Sequence, residues 1–222
     1  MRPLLSQVNG FILVAMESLV APPRRKAGRP LSFDRDAALN QGMLLFWRHG
    51  YEATAVSDLT AAMGVTPPSL YAAFGDKKRL FLEAVALYLS GDSRPQSIID
   101  RAADARSAAL TLMAGAAQAF TGPDTPPGCM LATSAISVSA AAADVQAALS
   151  DIRNGVEAHL RARIEADIAA GALPPDTDAE ALAAHITAVI QGLSTLARDG
   201  APREKLERVV AMAMRAWPEA AG

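Results

Sequence analysis

The chain has 222 residues, of which 51% are apolar and 20% are charged, so it can bury one large core or a small and a larger one. A single cysteine cannot form an internal disulfide, and three histidines far apart in sequence match no metal-ligand spacing, so we predict no metal, no cofactor and a location in the reducing cytoplasm. Since no run of about 18 or more uncharged apolar residues occurs, a membrane-spanning helix is not expected.

The net charge of −2 hides an uneven distribution. Residues 24–90 carry nine basic and six acidic side chains, whereas residues 91–222 carry eleven basic and sixteen acidic ones. A basic front on an acidic body suggests that only the front meets a polyanion.

The first 27 residues are predicted to be a flexible extension that ends in a basic arm. An apolar stretch after Arg2 has a weak signal-peptide look, but polar residues interrupt it, and Met16 is an alternative start. In the arm PPRRKAGRP, residues 22–30, the prolines oppose helix and leave the arginines free to follow an anionic surface. The alternative is a solvated tail.

Two helices are predicted next, in a chain where no segment alternates with period two and an all-α fold is therefore expected. Asp34 is a suitable N-cap for the first helix, which Gly50 ends. Thr54 can cap a short second helix, which ends at Gly64, a residue that tolerates the positive φ of a tight turn.

Two adjacent prolines open the third predicted helix. Thr66 is its N-cap, and Pro67 and Pro68 lie in the first turn, where helices do not need the amide donor. Leu70 and Phe74, four residues apart, face inward. Prolines therefore start this helix rather than break it.

A fourth helix is predicted from Asp76 to about Ser90. Its first turn carries Lys77, Lys78 and Arg79, although cations are unfavourable beside the positive end of a helix. A phosphate anion would explain them, and ordinary surface cations are the alternative. Two short helices joined by a glycine turn, with longer helices around them and a basic arm ahead, indicate a helix-turn-helix whose second helix fits a major groove about 12 Å wide.

The remainder is predicted to be a helical body with breaks rich in turn formers at 122–128, 171–177 and 199–202. Two of its helices carry apolar stripes at helical spacing and a short loop joins them, so they should pair antiparallel. We predict that a second copy completes a four-helix bundle, the alternative being an intrachain core. The predicted helices span 97–103, 104–120, 127–141, 144–170, 178–198 and 203–216, and the predicted interface residues are Val145, Leu149, Ile152, Val156, Leu182, Ile186, Val189, Leu193 and Leu196.

The segment HGYEATAVSDLTAAMGVTPPSLYAAFGDKKRLFLEAV, residues 49–85, resembles the DNA-binding domain of the TetR family of transcriptional regulators. The resemblance covers about 28–90, from GRP in the arm to the D-K-K-x-L start of the fourth helix. It implies a helical homodimer with a helix-turn-helix DNA-binding domain at 28–90 and a ligand-binding and dimerisation domain at 91–222. Such a protein usually represses a gene, by binding a palindromic double-stranded operator, until a small molecule releases it.

The resemblance also implies roles for individual residues. Tyr71 and Lys77 would grip phosphates, Thr54 would touch the DNA backbone, and Arg29 would enter the minor groove. Base edges would be read from Thr66, Pro67, Pro68, Ser69 and Ala73. Since both prolines and the alanine lack hydrogen-bonding side chains, readout would depend on thymine-methyl contacts, Ser69, water and DNA shape.

Candidate effector contacts in the body are Met113, Phe120, Cys129, Met130, His185 and Gln191. Met and Phe side chains at these positions could equally belong to the core. Cys129 is either a sensor of oxidants or electrophiles or an inert core residue. His185 either contacts a ligand or a partner chain or is a hydrogen-bonded core histidine. No nucleophile–base constellation, metal cluster or phosphate loop is present to support the alternative of an all-α enzyme or carrier. A nonspecific architectural DNA binder is disfavoured by the acidic body.

Overall fold

A computed structural model describes residues 33–90 and 94–219 of the chain. Every element of regular structure in these ranges is a helix, which confirms the all-α class, and none of these helices has the length and apolar character needed to cross a membrane. The predictions for residues 1–27 and for Arg29 lie outside the described residues. The helices are α1 (Arg35–His49), α2 (Val56–Met63), α3 (Pro67–Phe74), α4 (Lys77–Tyr88), α5 (Pro95–Arg101), α6 (Ala105–Phe120), α7 (Met130–Thr133), α8 (Ala143–Ala169), α9 (Ala179–Arg198) and α10 (Arg203–Ala213), with 3-10 turns at Ala140–Ala142 and Met214–Ala216.

The first four helices begin and end close to where local sequence predicted. The Asp34 carboxylate accepts hydrogen bonds from two amides of the first turn of α1, and the Asp76 carboxylate accepts one from the first turn of α4. Gly64 ends α2 in the left-handed region, with φ 65° and ψ 32°. These caps satisfy amides and carbonyls that a helix end leaves unpaired, so local chemistry sets the boundaries.

The hydrophobic core of the first four helices continues into the body. The rings of Phe46 in α1 and Phe81 in α4 are fully buried and meet edge to face, with centroids 5.0 Å apart. The same cluster includes residues from α7 and the first half of α8, so the two parts of the chain share one core. The contributors from the body are Met130, Leu131, Ala135, Val145, Leu149 and Ile152.

A second core lies in the body, where α9 packs against α6, α8 and α10. Met113 of α6, Leu193 of α9 and Leu206 of α10 are fully buried there. The predicted contact between α8 and α9 is confirmed, because the short loop between them brings the two helices side by side.

The prediction of a continuous helix over 127–141 is wrong. Only Met130–Thr133 is α-helical, followed after a turn by the 3-10 helix at Ala140–Ala142. The backbone of this segment is used elsewhere: the Ser134 carbonyl accepts from the Tyr51 amide at 2.7 Å, and the Ser139 amide donates to Glu52 Oε1 at 2.9 Å. Contacts with the first domain replace the hydrogen bonds of a helix.

The predicted dimer-interface residues are mostly intrachain core. Three of them face the first four helices, three face the body core, and buried side chains cannot meet a second copy. Apolar periodicity correctly predicted burial but not the partner. Val145, Leu149 and Ile152 lie in the shared core, Leu182, Ile186 and Leu193 lie in the body core, and Val156, Val189 and Leu196 are half-buried.

Candidate nucleic-acid interface

The helix-turn-helix consists of α2, a tight turn at Gly64 and α3. The Val65 amide donates to the Thr60 carbonyl at 3.0 Å, which closes the end of α2 before the chain turns into α3. Leu59 of α2 and Leu70 of α3 are both fully buried in the shared core. The two helices are thus fixed by one turn and one core, and α3 is held with its other face toward solvent.

The start of α3 combines two prolines with a hydroxyl cap. The Thr66 side chain accepts from the Ser69 amide at 3.4 Å, and the Thr66 and Ser69 hydroxyls lie 2.9 Å apart. Pro67 and Pro68 occupy the first two helical positions, as predicted from their missing amide donors. The Ser69 hydroxyl keeps hydrogen-bonding capacity beyond this internal partner, because a hydroxyl has one donor and two acceptor sites.

The outer face of α3 is largely apolar. Pro67, Pro68, Tyr71 and Ala72 are exposed, whereas Ala73 is half-buried. These small and rigid side chains leave the helix slim enough to enter a groove, and they offer methyl and ring contacts in place of bidentate hydrogen bonds. The Tyr71 ring, 48% exposed, is the largest side chain on this face.

Lys77 lies at the start of α4 and is held by the turn that precedes α2. Its Nζ is 4.5 Å from the centre of the Tyr51 ring and donates to the Glu52 carbonyl at 3.5 Å. Burial lowers the pKa of Lys77, an effect that the nearby Glu52 carboxylate opposes. A cation–π contact and a hydrogen bond to a carbonyl therefore hold the Lys77 ammonium in place, although the lysine side chain itself is flexible.

Arg35 braces the far end of α3, a role that the sequence analysis missed. Its guanidinium lies 4.4 Å over the Phe74 ring, donates to the Ala73 carbonyl at 3.3 Å and pairs with Glu83 at 2.5 Å. Only the fold brings these residues together, because 38 positions separate Arg35 from Ala73. This contact fixes α3 against α1 and α4.

The predictions for Thr54 need correction. Ala55 is the residue before α2, and its amide donates to the Asp58 carboxylate at 3.0 Å, so Thr54 is not the N-cap. The Thr54 hydroxyl donates to the Gly50 carbonyl at 2.6 Å and the residue is 1% exposed. Its side chain closes the end of α1 and has no surface with which to touch a phosphate.

Polar contacts join the body to the turn beside Lys77. The Glu52 carboxylate accepts from the Ser139 amide at 2.9 Å and from the Ser139 hydroxyl at 2.8 Å, and these bonds hold the pKa of Glu52 below its usual value. Lys78, next to Lys77, pairs with Asp144 at the start of α8. The segment 134–144 therefore contacts the first domain beside Lys77 and Lys78.

The carboxyl end of α1 is held by two further elements of the body. The Trp47 indole donates to the Gly128 carbonyl at 3.1 Å. Arg198, at the end of α9, donates to the Trp47 carbonyl at 3.1 Å and to the Arg48 carbonyl at 2.9 Å. A cation at these carbonyls also complements the negative end of the α1 dipole. Sequence pattern gave no signal for these long-range contacts.

The six candidate effector residues are spread over the body core, the shared core and the surface of α9. Met113 and Phe120 belong to the body core, Met130 belongs to the shared core, and Gln191 is exposed on α9. Cys129 touches both cores, and its sulfur accepts from the Tyr88 hydroxyl at 3.4 Å; burial raises the pKa of Tyr88. His185 is half-buried, and its Nε2 has no hydrogen-bond partner among the described residues.

A groove of about 470 Å³ lies where α6 and α9 end and α10 begins. The Arg203 guanidinium beside it donates to the Thr121 hydroxyl at 3.2 Å. Ala197 in its wall is followed directly by Arg198, the residue that holds α1. The groove is lined by Phe120, Thr121, Gly122, Pro127, Ala197, Gly200, Ala201, Pro202, Arg203 and Glu204. In residues 33–90 and 94–219, no group of three or more His, Cys, Asp or Glu side chains is placed to hold a metal ion.

Comparisons with known proteins agree with this architecture. Residues 38–84 match the family "Bacterial regulatory proteins, tetR family", and residues 107–213 match "Tetracyclin repressor-like, C-terminal domain". The HTH-type transcriptional repressor ComR of Escherichia coli (strain K12) is 36% identical over 198 residues, which are 88% of this chain and 94% of ComR. The repressor BdcR of the same organism is 38% identical over 77 residues, 35% of this chain and 39% of BdcR.

A solved structure adds a nucleic-acid complex. The TetR family transcriptional regulator CifR, as a cysteine mutant complexed with 26bp double-strand operator DNA, is 42% identical with a TM-score of 0.81, over 86% of this chain and 100% of that chain. A putative TetR transcriptional regulator from Rhodococcus sp. RHA1 is 37% identical with a TM-score of 0.58, over 82% and 98% of the two chains. The matches cover both the helix-turn-helix and the body. The chain therefore belongs to the TetR family of transcriptional regulators, which are DNA-binding proteins and not enzymes.

Proposed function

We propose that the protein is a repressor that binds a palindromic double-stranded operator as a homodimer and is released by a small-molecule effector. The observation that carries the proposal is the exposed face of α3, seated on a buried core and flanked by Lys77. The relative complexed with operator DNA, CifR, shares 42% of its residues over its whole length with this chain. Because an operator-binding repressor must share a compartment with genomic DNA, we propose that the protein is cytoplasmic.

In this proposal Tyr71 and Lys77 bind phosphates, while Thr66, Pro67, Pro68, Ser69 and Ala73 face base edges. The slim and apolar surface of α3 favours thymine-methyl contacts and shape readout over bidentate hydrogen bonds. Residues 28–90 form the DNA-binding domain and residues 91–222 the regulatory body. Arg29 and the arm ahead of it supply cations to the minor groove.

For the dimer we propose a surface different from the one predicted from the apolar stripes. The outer face of α9 carries small exposed residues at helical spacing, which let a second helix approach closely. Met212 on the neighbouring α10 is 61% exposed, the largest exposure of any apolar side chain of its size in the described residues. The proposed α9 face consists of Ala181, Ala188, Gly192 and Thr195.

For the effector we propose the groove at the end of α9. Its volume of about 470 Å³ lies within the usual size of a small-molecule site, about 300–1,000 Å³. A ligand there touches Ala197, whose neighbour Arg198 holds the carbonyls of α1. A ligand that binds better when the Arg198 contact with α1 is broken lowers the affinity for DNA. By linkage, DNA lowers the affinity for the ligand by the same factor.

The test is to recover genomic DNA fragments with the purified protein at moderate salt and to sequence them, beginning with its own upstream region. We expect enrichment of a short sequence with two-fold symmetry. Failure to enrich any fragment would rule out an operator-binding repressor. If the enriched sequence lacks two-fold symmetry and the protein sediments as a monomer, only the homodimer part of the proposal is ruled out.

A further inference from the structure

Lys78 is the second cation of the first turn of α4, and its partner lies in the body. Its ammonium pairs with the carboxylate of Asp144, in the first turn of α8, 66 positions along the chain. The side chains remain 36% and 57% exposed, so solvent and other charged groups can reach both. This pair thus joins the DNA-facing domain to the body at an accessible surface.

The local electrostatics at the start of α4 favour an anion. Lys77 and Lys78 follow each other at the positive end of the helix, where cations are unfavourable and anions are stabilised. The Asp76 carboxylate caps this helix end, and Asp144 supplies a further negative charge beside Lys78. The Lys78 bond holds the pKa of Asp144 below its usual value. A DNA phosphate would supply the same charge to the same ammonium.

The position of Asp144 is fixed by contacts other than its ion pair. The Ser134 carbonyl and the Ser139 amide and hydroxyl bind the turn at Tyr51 and Glu52, a short distance before α8 begins. The side-chain amide of Gln146, in the first turns of α8, donates from Nε2 to the Ile136 carbonyl at 2.6 Å. The carboxylate is therefore presented to Lys78 by a well-anchored segment and not by a freely moving loop.

From this juxtaposition we propose that Lys78 is a further DNA-phosphate contact and that Asp144 competes with the phosphate for it. The inference rests on the DNA-binding function proposed above. Because an exposed ion pair contributes little net stability, Lys78 exchanges Asp144 for a phosphate at low cost. The body then influences DNA affinity directly, because a change that moves α8 toward or away from α4 alters how much of the Lys78 charge is available to DNA.

The test is a double-mutant cycle of Asp144→Asn and Lys78→Gln, read out as DNA affinity by fluorescence anisotropy over a series of salt concentrations. The probes are the enriched operator duplex and a random-sequence duplex of the same length, since phosphate contacts act on both. Asp151→Asn is the matched control, because Asp151 is an exposed carboxylate of α8 with no hydrogen bond or ion pair within the described residues.

We expect Asp144→Asn to raise DNA affinity about two- to five-fold for each protomer at low salt. The slope of the logarithm of the binding constant against the logarithm of salt concentration should become steeper by up to about 0.9 for each protomer. Lys78→Gln should weaken binding to both duplexes and make the slope shallower. In the Lys78→Gln background, Asp144→Asn should have no greater effect than Asp151→Asn. Circular dichroism and melting temperature check that each variant folds as the wild type does.

Three outcomes would overturn the inference. Unchanged or weaker binding by Asp144→Asn would mean that the carboxylate does not compete, and an equal gain in the Lys78→Gln background would assign the gain to the general field of the acidic body. Unchanged binding by Lys78→Gln would remove Lys78 from the interface. If instead the wild-type protein binds no duplex, the proposed function itself fails. If Lys77→Ala loses binding but Asp144→Asn has no effect, the repressor function stands and only the competition between Asp144 and a DNA phosphate is rejected.

Discussion

The indole nitrogen of Trp47 donates a hydrogen bond to the carbonyl oxygen of Gly128, 3.1 Å away, although the two residues are 81 positions apart. Gly128 has a φ of +80°, and a Cβ atom on it would lie 2.8 Å from the Ser194 carbonyl oxygen and 2.8 Å from Cγ of Arg198. Three elements, α1, the loop before α7 and the end of α9, therefore meet at a point where only glycine fits. This junction holds the DNA-binding domain on the body.

Gly128→Ala should destabilise the protein more than Gly171→Ala does. Both glycines have a positive φ, which costs an alanine about 1–2 kcal/mol, but nothing lies within 4 Å of a Cβ on Gly171. Gly128→Ala adds a backbone clash and displaces the Trp47 bond. Urea unfolding measures both losses. If the two free energies of unfolding fall equally, the close approach at Gly128 is not a source of strain.

Tyr71→Phe combined with Lys77→Ala should weaken binding to all DNA sequences about equally, because phosphate contacts carry no base information. The double variant should also make DNA affinity less dependent on salt concentration. The Tyr71 ring is 48% exposed and the Lys77 ammonium is presented by Tyr51. Anisotropy titrations with operator and random duplexes measure the effect. Lys205→Ala, an exposed lysine on α10, is the control and should change neither affinity. A loss restricted to the operator would assign these residues to base reading.

Ala188→Arg should convert the proposed dimer into a folded monomer, because a long cation on the small-residue face of α9 prevents a second helix from approaching. Analytical ultracentrifugation measures the mass. Ala166→Arg, on an exposed position of α8, is the matched control and should remain a dimer. By contrast, Leu193→Arg should unfold the body, since Leu193 is fully buried. An unchanged mass for Ala188→Arg would place the interface elsewhere.

Glu52→Gln should lower the melting temperature at neutral pH, and the difference from the wild type should vanish in acid. The Ser139 bonds lower the pKa of Glu52 in the folded state, so the charged carboxylate stabilises the fold above its unfolded-state pKa of about 4.3. This contribution is lost as the pH falls through the lowered pKa of the folded state. Melting curves between neutral pH and pH of about 3 measure it. A difference that persists at the lowest pH would show that the charge of Glu52 is not its source.

Local chemistry predicted most boundaries of the first four helices, because caps and turns depend on neighbouring residues; the exception is the start of α2, which Ala55 and not Thr54 precedes. Asp34 and Asp76 bind amides within their own first turns, and Pro67 is tolerated at the first position of any helix. The same reasoning failed for residues 127–141, where an alanine-rich segment gives its backbone groups to Tyr51 and Glu52. Tertiary hydrogen bonds outweighed helix propensity there.

For the site, sequence placed α3 and its cations correctly in the chain but could not identify their supports. Arg35, Ser139 and Asp144 each act across 38 or more positions, a range over which spacing carries no information. Periodicity likewise showed that Val145 would be buried, but it could not distinguish a core shared with the DNA-binding domain from contact with a second copy.

Helix α9 combines two tasks in one rod of 20 residues, about 30 Å long. Its end grips α1 through Arg198, and its outer face forms the proposed contact with the partner. In the proposed dimer, the partner contact and the Arg198 contact with α1 lie on the same helix, so the spacing of the two α3 helices is coupled closely to the interface between the copies. Inserting one base pair at the centre of the operator shifts one half by about 3.4 Å and rotates it by about 34°. Such a regulator should reject that insertion, and promoters that carry it should escape its control.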